Sequence, residues 1–335
     1  MRKLSPMTPH ETAATLTTER VGEHVFGFIQ GDGSWGHANA GLIADGDELL
    51  LVDTFFTLPQ TRGLRAAVEE VAPSGRIGTI VNTHLNGDHC WGNQLFPDAE
   101  WLTSAANEAG ADKELKPSFF QQLREQPPAG EAGKYLLEHF GAFDFTGVEE
   151  PRAWTTFTGQ ASLQVGRIFV ELWDMGPAHT DGDVAVHVPE AGVVLCGDLF
   201  FHGSHPAVWS GPLTHWATVC DRLLATGAHT FVPGHGPLAD RADLTGFRDY
   251  LLHVHDHATR AATAGASLLE ATRTMPLDAY EEWALPERLM TAVASVYRHL
   301  GAPAPHSPFE LLAPAAPLAR EFAASAAARR RPGDH

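Results

Sequence analysis

The chain has 335 residues, 44% of them hydrophobic and 19% charged, an ordinary globular mix with length for one large domain or two small ones. Its 23 basic residues stand against 41 acidic ones, and the formal net charge of −18 argues against nucleic acid or a membrane surface as partner. Cys90, Cys196 and Cys220 lack the spacing of a disulfide framework, and no apolar run reaches the roughly 18 residues of a membrane helix, so a cytoplasmic protein is expected.

Residues 1–18 carry no apolar signal-peptide core and read as a flexible leader. Val25–Ile29 and Gly41–Ile43 read as strands about the Gly-rich turn Gly31-Asp32-Gly33-Ser34. Leu49–Val52 is a short continuous apolar run, the pattern of a strand buried on both faces, and it ends in Asp53. A helix over Pro59–Val71, a strand over Ile77–Val81 and a polar loop over Asn82–Asn93 follow. The stretch from about 104 to 143 is helical in character, broken at Pro127-Pro128 and Gly130, and reads as an inserted lid.

Strands resume at Ser162–Val165, Ile168–Leu172, Val184–Val188 and Val193–Cys196, the last running into Gly197-Asp198. A helix over Trp216–Ala225 leads to a strand at Thr230–Val232 and the turn Pro233-Gly234-His235-Gly236. These boundaries make 19–243 one mixed α/β domain, 244–302 a C-terminal helical extension and 303–335 a Pro/Ala-rich tail, mobile over Ala323–Arg331. Leu50-Leu51-Val52-Asp53 and Val194-Leu195-Cys196-Gly197-Asp198 echo one another. Each is an apolar strand that delivers a carboxylate at its C-terminal end, where α/β folds place their chemistry.

His84, Asp88 and His89 fall within six residues of one loop, and His179, Asp198 and His235 each sit at a later strand-to-loop junction beside Gly, Asp or Thr. With 19 histidines in the chain a single one signals little. Four at separate junctions, with two carboxylates, form a ligand set for a borderline first-row cation.

This pattern resembles the metallo-β-lactamase superfamily, whose signature is His-x-His-x-Asp-His followed by a His, an Asp and a His; the resemblance covers about Val21 to Pro237. It implies a four-layer αβ/βα sandwich. It places His84 and His179 in a first metal site, Asp88, His89 and His235 in a second, and Asp198 between them, with Asp53 supporting. One departure stands out: Asn86 occupies the family's second histidine position. An amide oxygen is the weaker donor, so Asn86 ligates weakly, or hydrogen-bonds a water or substrate oxygen, or leaves the first site empty. Two ions of unequal affinity are preferred, narrowly, to one in the second site.

The family's chemistry implies zinc, with iron or manganese as substitutes, and a bound water of pKa about 7 whose hydroxide attacks an acyl carbon. Asp88 is implied as the residue that orients water or relays a proton, with Asn86 beside it. The branch resembled is that of glyoxalase II-like thioesterases, lactonases and cyclases. The expected partner is therefore a small acyl substrate, a thioester, ester or lactone, with β-lactams ranked below. Trp91, Trp209, Phe200 and Phe201 are candidates for an apolar pocket, and His202, His205 and His215 for a proton donor. A nucleophilic Cys90 ranks below a merely packed one. Two rivals remain. One is a non-heme iron dioxygenase of the sulfur dioxygenase kind, built on His84, His179 and Asp198; the other is a non-catalytic binding protein on the same fold. Oligomeric state is left open, a homodimer among the options.

Overall fold

Two β-sheets lie face to face because their strands carry apolar residues on both sides. The structure, a computed structural model, describes residues 16–31 and 33–330. The first sheet runs in chain order through β1 (Leu16–Gly22), β2 (Val25–Gln30), β3 (Ala40–Asp45), β4 (Glu48–Val52), β5 (Arg76–Val81), β6 (Glu100–Ser104) and β7 (Thr155–Phe157). It is antiparallel as far as β4 and parallel from there on. The second sheet orders β8 (Gln160–Val165), β9 (Ile168–Asp174), β10 (Val184–Val188), β11 (Val193–Phe201) and β12 (Thr230–His235), with β11 and β12 parallel.

Between the sheets pack Leu50 and Val52 from β4 against Val193 and Leu195 from β11. The alternate residues turn outward: Leu49 and Leu51 toward one helical layer, Val194 and Cys196 toward the other. This period-two division within continuous apolar runs builds a four-layer αβ/βα sandwich.

The helices, in chain order, are α1 (Leu58–Val71), α2 (Gly87–Cys90), α3 (Ala105–Gly110), α4 (Pro117–Glu125), α5 (Gly130–Phe140), α6 (Leu213–Ala225), α7 (Arg241–Thr263), α8 (Leu268–Arg273), α9 (Leu289–His299), α10 (Pro308–Leu312) and α11 (Ala315–Arg330). Helix α1 covers the first sheet through Leu64 and Val68, its start fixed by a Thr57–Gln60 capping box. Helices α6, α7 and α9 cover the second sheet through Trp216, Phe247 and Val293. Helices α4 and α5 enclose an aromatic cluster that includes Phe56, Trp91, Phe120 and Phe140.

Three expectations need correction. The leader does not extend to residue 18, since Leu16, Thr17 and Thr18 pair with Gln30, Ile29 and Phe28; residues 1–15 lie outside those described. The stretch Asn82–Asn93 is not all loop, because Gly87–Cys90 closes a helical turn and Trp91–Leu95 a 3₁₀ turn. The Pro/Ala-rich tail is helical at Pro308–Leu312 and again from Ala315 to Arg330. Alanine is the strongest helix former, and proline is harmless in a first turn, so that composition suits a helix once it has a surface to pack on. Tyr135 of α5 provides it, against Ala315 and Ala316, with an Arg273–Glu321 ion pair at 2.8 Å.

Candidate metal centre

The parallel pairs β4/β5 and β11/β12 both end at one edge of the sandwich, and the six predicted ligands meet there. Nε2 of His84 lies 3.8 Å and Nε2 of His179 3.3 Å from Asp198 Oδ2. Across the same carboxylate, Nε2 of His89 lies 3.2 Å and Nε2 of His235 3.4 Å from Oδ1, and Asp88 Oδ2 is 3.5 Å from His235. The donors of His84, His179 and Asp198 fall within 4.8 Å of one another, as do those of Asp88, His89 and His235. Close approach demands glycine at 234, where a Cβ would overlap Asp198 Oδ1.

Backbone and second-layer oxygens aim these rings. Asp53 sits just past β4 at a φ of 63°, a left-handed conformation that aspartate tolerates. Its carboxylate accepts from Thr83 N and Thr83 Oγ1, both at 2.7 Å, and from His89 Nδ1 at 2.9 Å. Having donated its one proton to Asp53, the Thr83 hydroxyl accepts from His84 Nδ1 at 3.2 Å. His179 Nδ1 donates to Ala207 O at 2.8 Å and His235 Nδ1 to His37 O at 3.1 Å. Each of the four rings thus carries a proton on Nδ1 and turns Nε2 inward, where a bound cation would find a lone pair.

His89 Nε2 and His235 Nε2 face each other at 3.4 Å, and His84 Nε2 and Asp198 Oδ1 are buried without a hydrogen-bond partner. Burial holds His84 and His179 below the ordinary imidazole range. Burial opposes charge on His89 too, but Asp198 and Asp53 outweigh it and raise that imidazole well up. Burial favours a neutral Asp198, and the surrounding imidazoles, His235 first, reverse this and hold it well down. Inward lone pairs around an anionic carboxylate fit divalent cations.

Asn86 joins the first cluster. Its Oδ1 is 2.9 Å from His179 Nε2, and its Nδ2 donates to Glu114 Oε2 at 2.8 Å. Burial raises the Glu114 carboxyl, and the bond from Asn86 pulls it back. Glu114 follows α3 and carries no motif that would have marked it in the sequence.

The cluster opens into an aromatic pocket lined by Trp91, Phe201 and Trp209 together with Trp35, Phe56 and Phe120. Phe200 does not line it: neighbouring strand residues face opposite ways, so Phe200 packs on Phe247 while Phe201 stacks on His235 at 5.2 Å. The three histidines considered as proton donors also lie elsewhere. His202 Nδ1 bonds Pro237 O, His205 Nδ1 bonds Tyr250 Oη, and His215 Nε2 bonds Met175 O. Cys90 is buried against Leu85 O, and burial pushes its thiol well up.

A family model described as "Metallo-beta-lactamase superfamily" matches residues 33–235. The alpha subunit of the 2,4-dinitroanisole O-demethylase of a Nocardioides strain is 27% identical over 233 residues, 69% of this chain and 60% of that subunit. A probable metallo-hydrolase of Mycobacterium tuberculosis is 34% identical over 126 residues, 37% of either chain. The chain thus matches less than two thirds of each relative's length. Among solved structures, the sec-alkylsulfatase Pisa1 of a Pseudomonas species shares the fold with a TM-score of 0.65 at 16% identity, over 85% of this chain and 50% of that one. With the family match spanning most of the sandwich and the donor clusters at its edge, the chain belongs to the metallo-beta-lactamase superfamily, whose members include metal-dependent hydrolases and sulfatases.

Proposed function

We propose that the chain is a metallo-hydrolase that cleaves an acyl bond, in a thioester, ester or lactone in preference to a β-lactam. One observation carries this reading: two donor clusters flank the Asp198 carboxylate at the floor of an aromatic-lined pocket. Divalent cations held there, zinc by donor type, supply a Lewis acid and an activated water.

The chain's own residues do the rest. Asp198 lies between the clusters and neutralises charge on both sides. Asp53 and Thr83 hold His89 and His84 in the tautomer that presents Nε2. Asp88 lines the pocket beside His235, where it can orient a water or take up its proton. The aromatic walls exclude bulk water and receive an apolar substrate body. The relatives' names, a dinitroanisole demethylase and an alkylsulfatase, also denote substrates with an apolar body.

The iron dioxygenase reading keeps one specific support, because His84, His179 and Asp198 form a cluster of their own. The intact second cluster favours hydrolysis. Metal analysis of the purified protein, with turnover assays on thioesters, lactones, esters and β-lactams, separates the two. Zinc and chelator-sensitive hydrolysis support the proposal; iron with oxygen uptake on persulfides overturns it.

A further inference from the structure

Arg288 opens helix α9 at the wall of the metal pocket and is 1% exposed. A guanidinium stays charged at any physiological pH, and burying one without an opposite charge is unfavourable by far more than a typical surface contact returns. Among the described residues its hydrogen bonds run only from Nη1, to the carbonyls of Gly33 and His205 at 3.3 Å each, and Nε has no partner. The neighbouring Glu287 favours the charge without a direct ion-pair contact: it accepts from Tyr135 Oη at 2.8 Å, and Tyr135 in turn accepts from Trp35 Nε1 at 3.0 Å.

That network also fixes Trp35, whose ring lies flat under the guanidinium, 3.8 Å from its carbon. Phe201, stacked on His235, lies 6.0 Å from the same carbon, so the charge stands next to the metal cluster and not at the pocket mouth. Glu287, Asp198 and Asp88 favour the charge from beyond hydrogen-bond reach, while its direct contacts are two carbonyls and an aromatic face, so Nε keeps a free N–H donor. In a protein of net charge −18, it forms a local positive station at the wall of a cavity lined by aromatic rings and by the carboxylates of the metal edge.

We propose that Arg288 recognises an oxyanion, a carboxylate or a sulfate, carried by the substrate, so that the pocket selects amphipathic anions. The apolar body lies among Phe56, Phe120 and Trp209, and the anionic head meets the guanidinium beside the metal cluster. This deepens the hydrolase reading by naming its substrate class, and it rests on the pocket being the substrate site.

The test is a binding titration on the protein as purified, with metal content measured in parallel. Octanoate and octyl sulfate are compared with the neutral octanamide by quenching of tryptophan fluorescence. At least one of the two anions is expected to bind about tenfold or more tighter than octanamide. Arg288→Met, close in length but uncharged, is expected to lose that preference while octanamide affinity stays within about twofold. Should Arg288→Met fail to fold, Arg288→Lys takes its place, with a reduced preference expected because the planar fork is gone. Equal binding of all three ligands by the wild type, or an unchanged anion preference in the variant, overturns the proposal and leaves Arg288 a structural clip. Absence of metal from protein that still prefers anions through Arg288 would sink the hydrolase reading alone.

Discussion

Asn86 Oδ1 and His179 Nε2 stand 2.9 Å apart as two acceptors, because the amide hydrogens of Asn86 point to Glu114 and the ring hydrogen of His179 to Ala207 O. A cation held between the two atoms would resolve that opposition and would make Asn86 a donor to the first cluster. Imidazole binds zinc better than an amide oxygen does. Asn86→His is accordingly expected to raise first-site affinity by at least about tenfold. Metal stoichiometry under limiting zinc is the measurement; unchanged occupancy would remove Asn86 from the ligand set.

Glu114 decides which end of the amide faces the cluster. Glu114→Ala frees the Asn86 side chain to turn its NH₂ group inward, against His179. Outer-layer partners of ligands commonly contribute 10–100-fold in affinity, so first-site binding is expected to fall by about that range while the second site holds. Cobalt substitution, followed by its visible absorption, reads the two sites separately, and an unaltered first-site spectrum would show that Glu114 merely packs there.

Asp53 supports the second cluster in the same way but more deeply, at 2% exposure. Asp53→Ala strands two Thr83 donors and the His89 ring hydrogen in a buried site, and each unmet donor costs about 1–3 kcal/mol. A stability loss of about 3 kcal/mol or more is expected from denaturant melts, together with weaker second-site metal binding. A loss of stability with metal affinity intact would show that His89 needs no orienting partner.

The metal edge was legible because its signal is local: His84, Asp88 and His89 share one loop, and the other three donors end strands or turns. The sandwich was legible from apolar runs such as Leu49–Val52, whose residues divide between two layers. Glu114 and Arg288 were not legible. Each reaches the site from a separate segment, and a single charged residue in a helical stretch looks like a solvated one until the fold buries it, as with Arg288, or half-buries it, as with Glu114. The tail misled for a different reason, since composition speaks for Ala-rich disorder and Ala-rich helix alike, and only the contact with Tyr135 decides.

Cys90 adjoins a ligand in sequence, yet its thiol is buried and burial, aided by the nearby Glu114 and Asp53 charges, disfavours the thiolate. Cys90→Ala is expected to leave kcat within about twofold, and to cost about 1 kcal/mol of stability through lost packing. Abolished turnover in a folded Cys90→Ala protein would replace hydrolytic water by a thiol nucleophile.

His205 is expected to contribute acid sensitivity alongside the other histidines that burial holds below the usual imidazole range. It is fully buried against Tyr250 Oη at 2.8 Å, and burial, reinforced by Arg288, pulls its pKa from 6.5 to about 3. The unfolded chain takes up a proton below pH 6.5 that the folded chain refuses, so this contribution is whole above 6.5 and is lost as pH falls toward 3. By pH 5 the loss amounts to about 2 kcal/mol, at 1.36 kcal/mol per pH unit. Asp183 works in the opposite sense, since burial lifts it to about 7 and its contribution fades as pH rises from 3.8 to that value. Comparing the wild type with His205→Gln cancels the Asp183 contribution, which both proteins share. Whatever the substitution costs at neutral pH, the variant is expected to lose about 2 kcal/mol less than the wild type between pH 7 and 5 in urea melts. Parallel pH dependences in the two proteins would mean that His205 is protonated in the fold and that another buried group governs the acid limb.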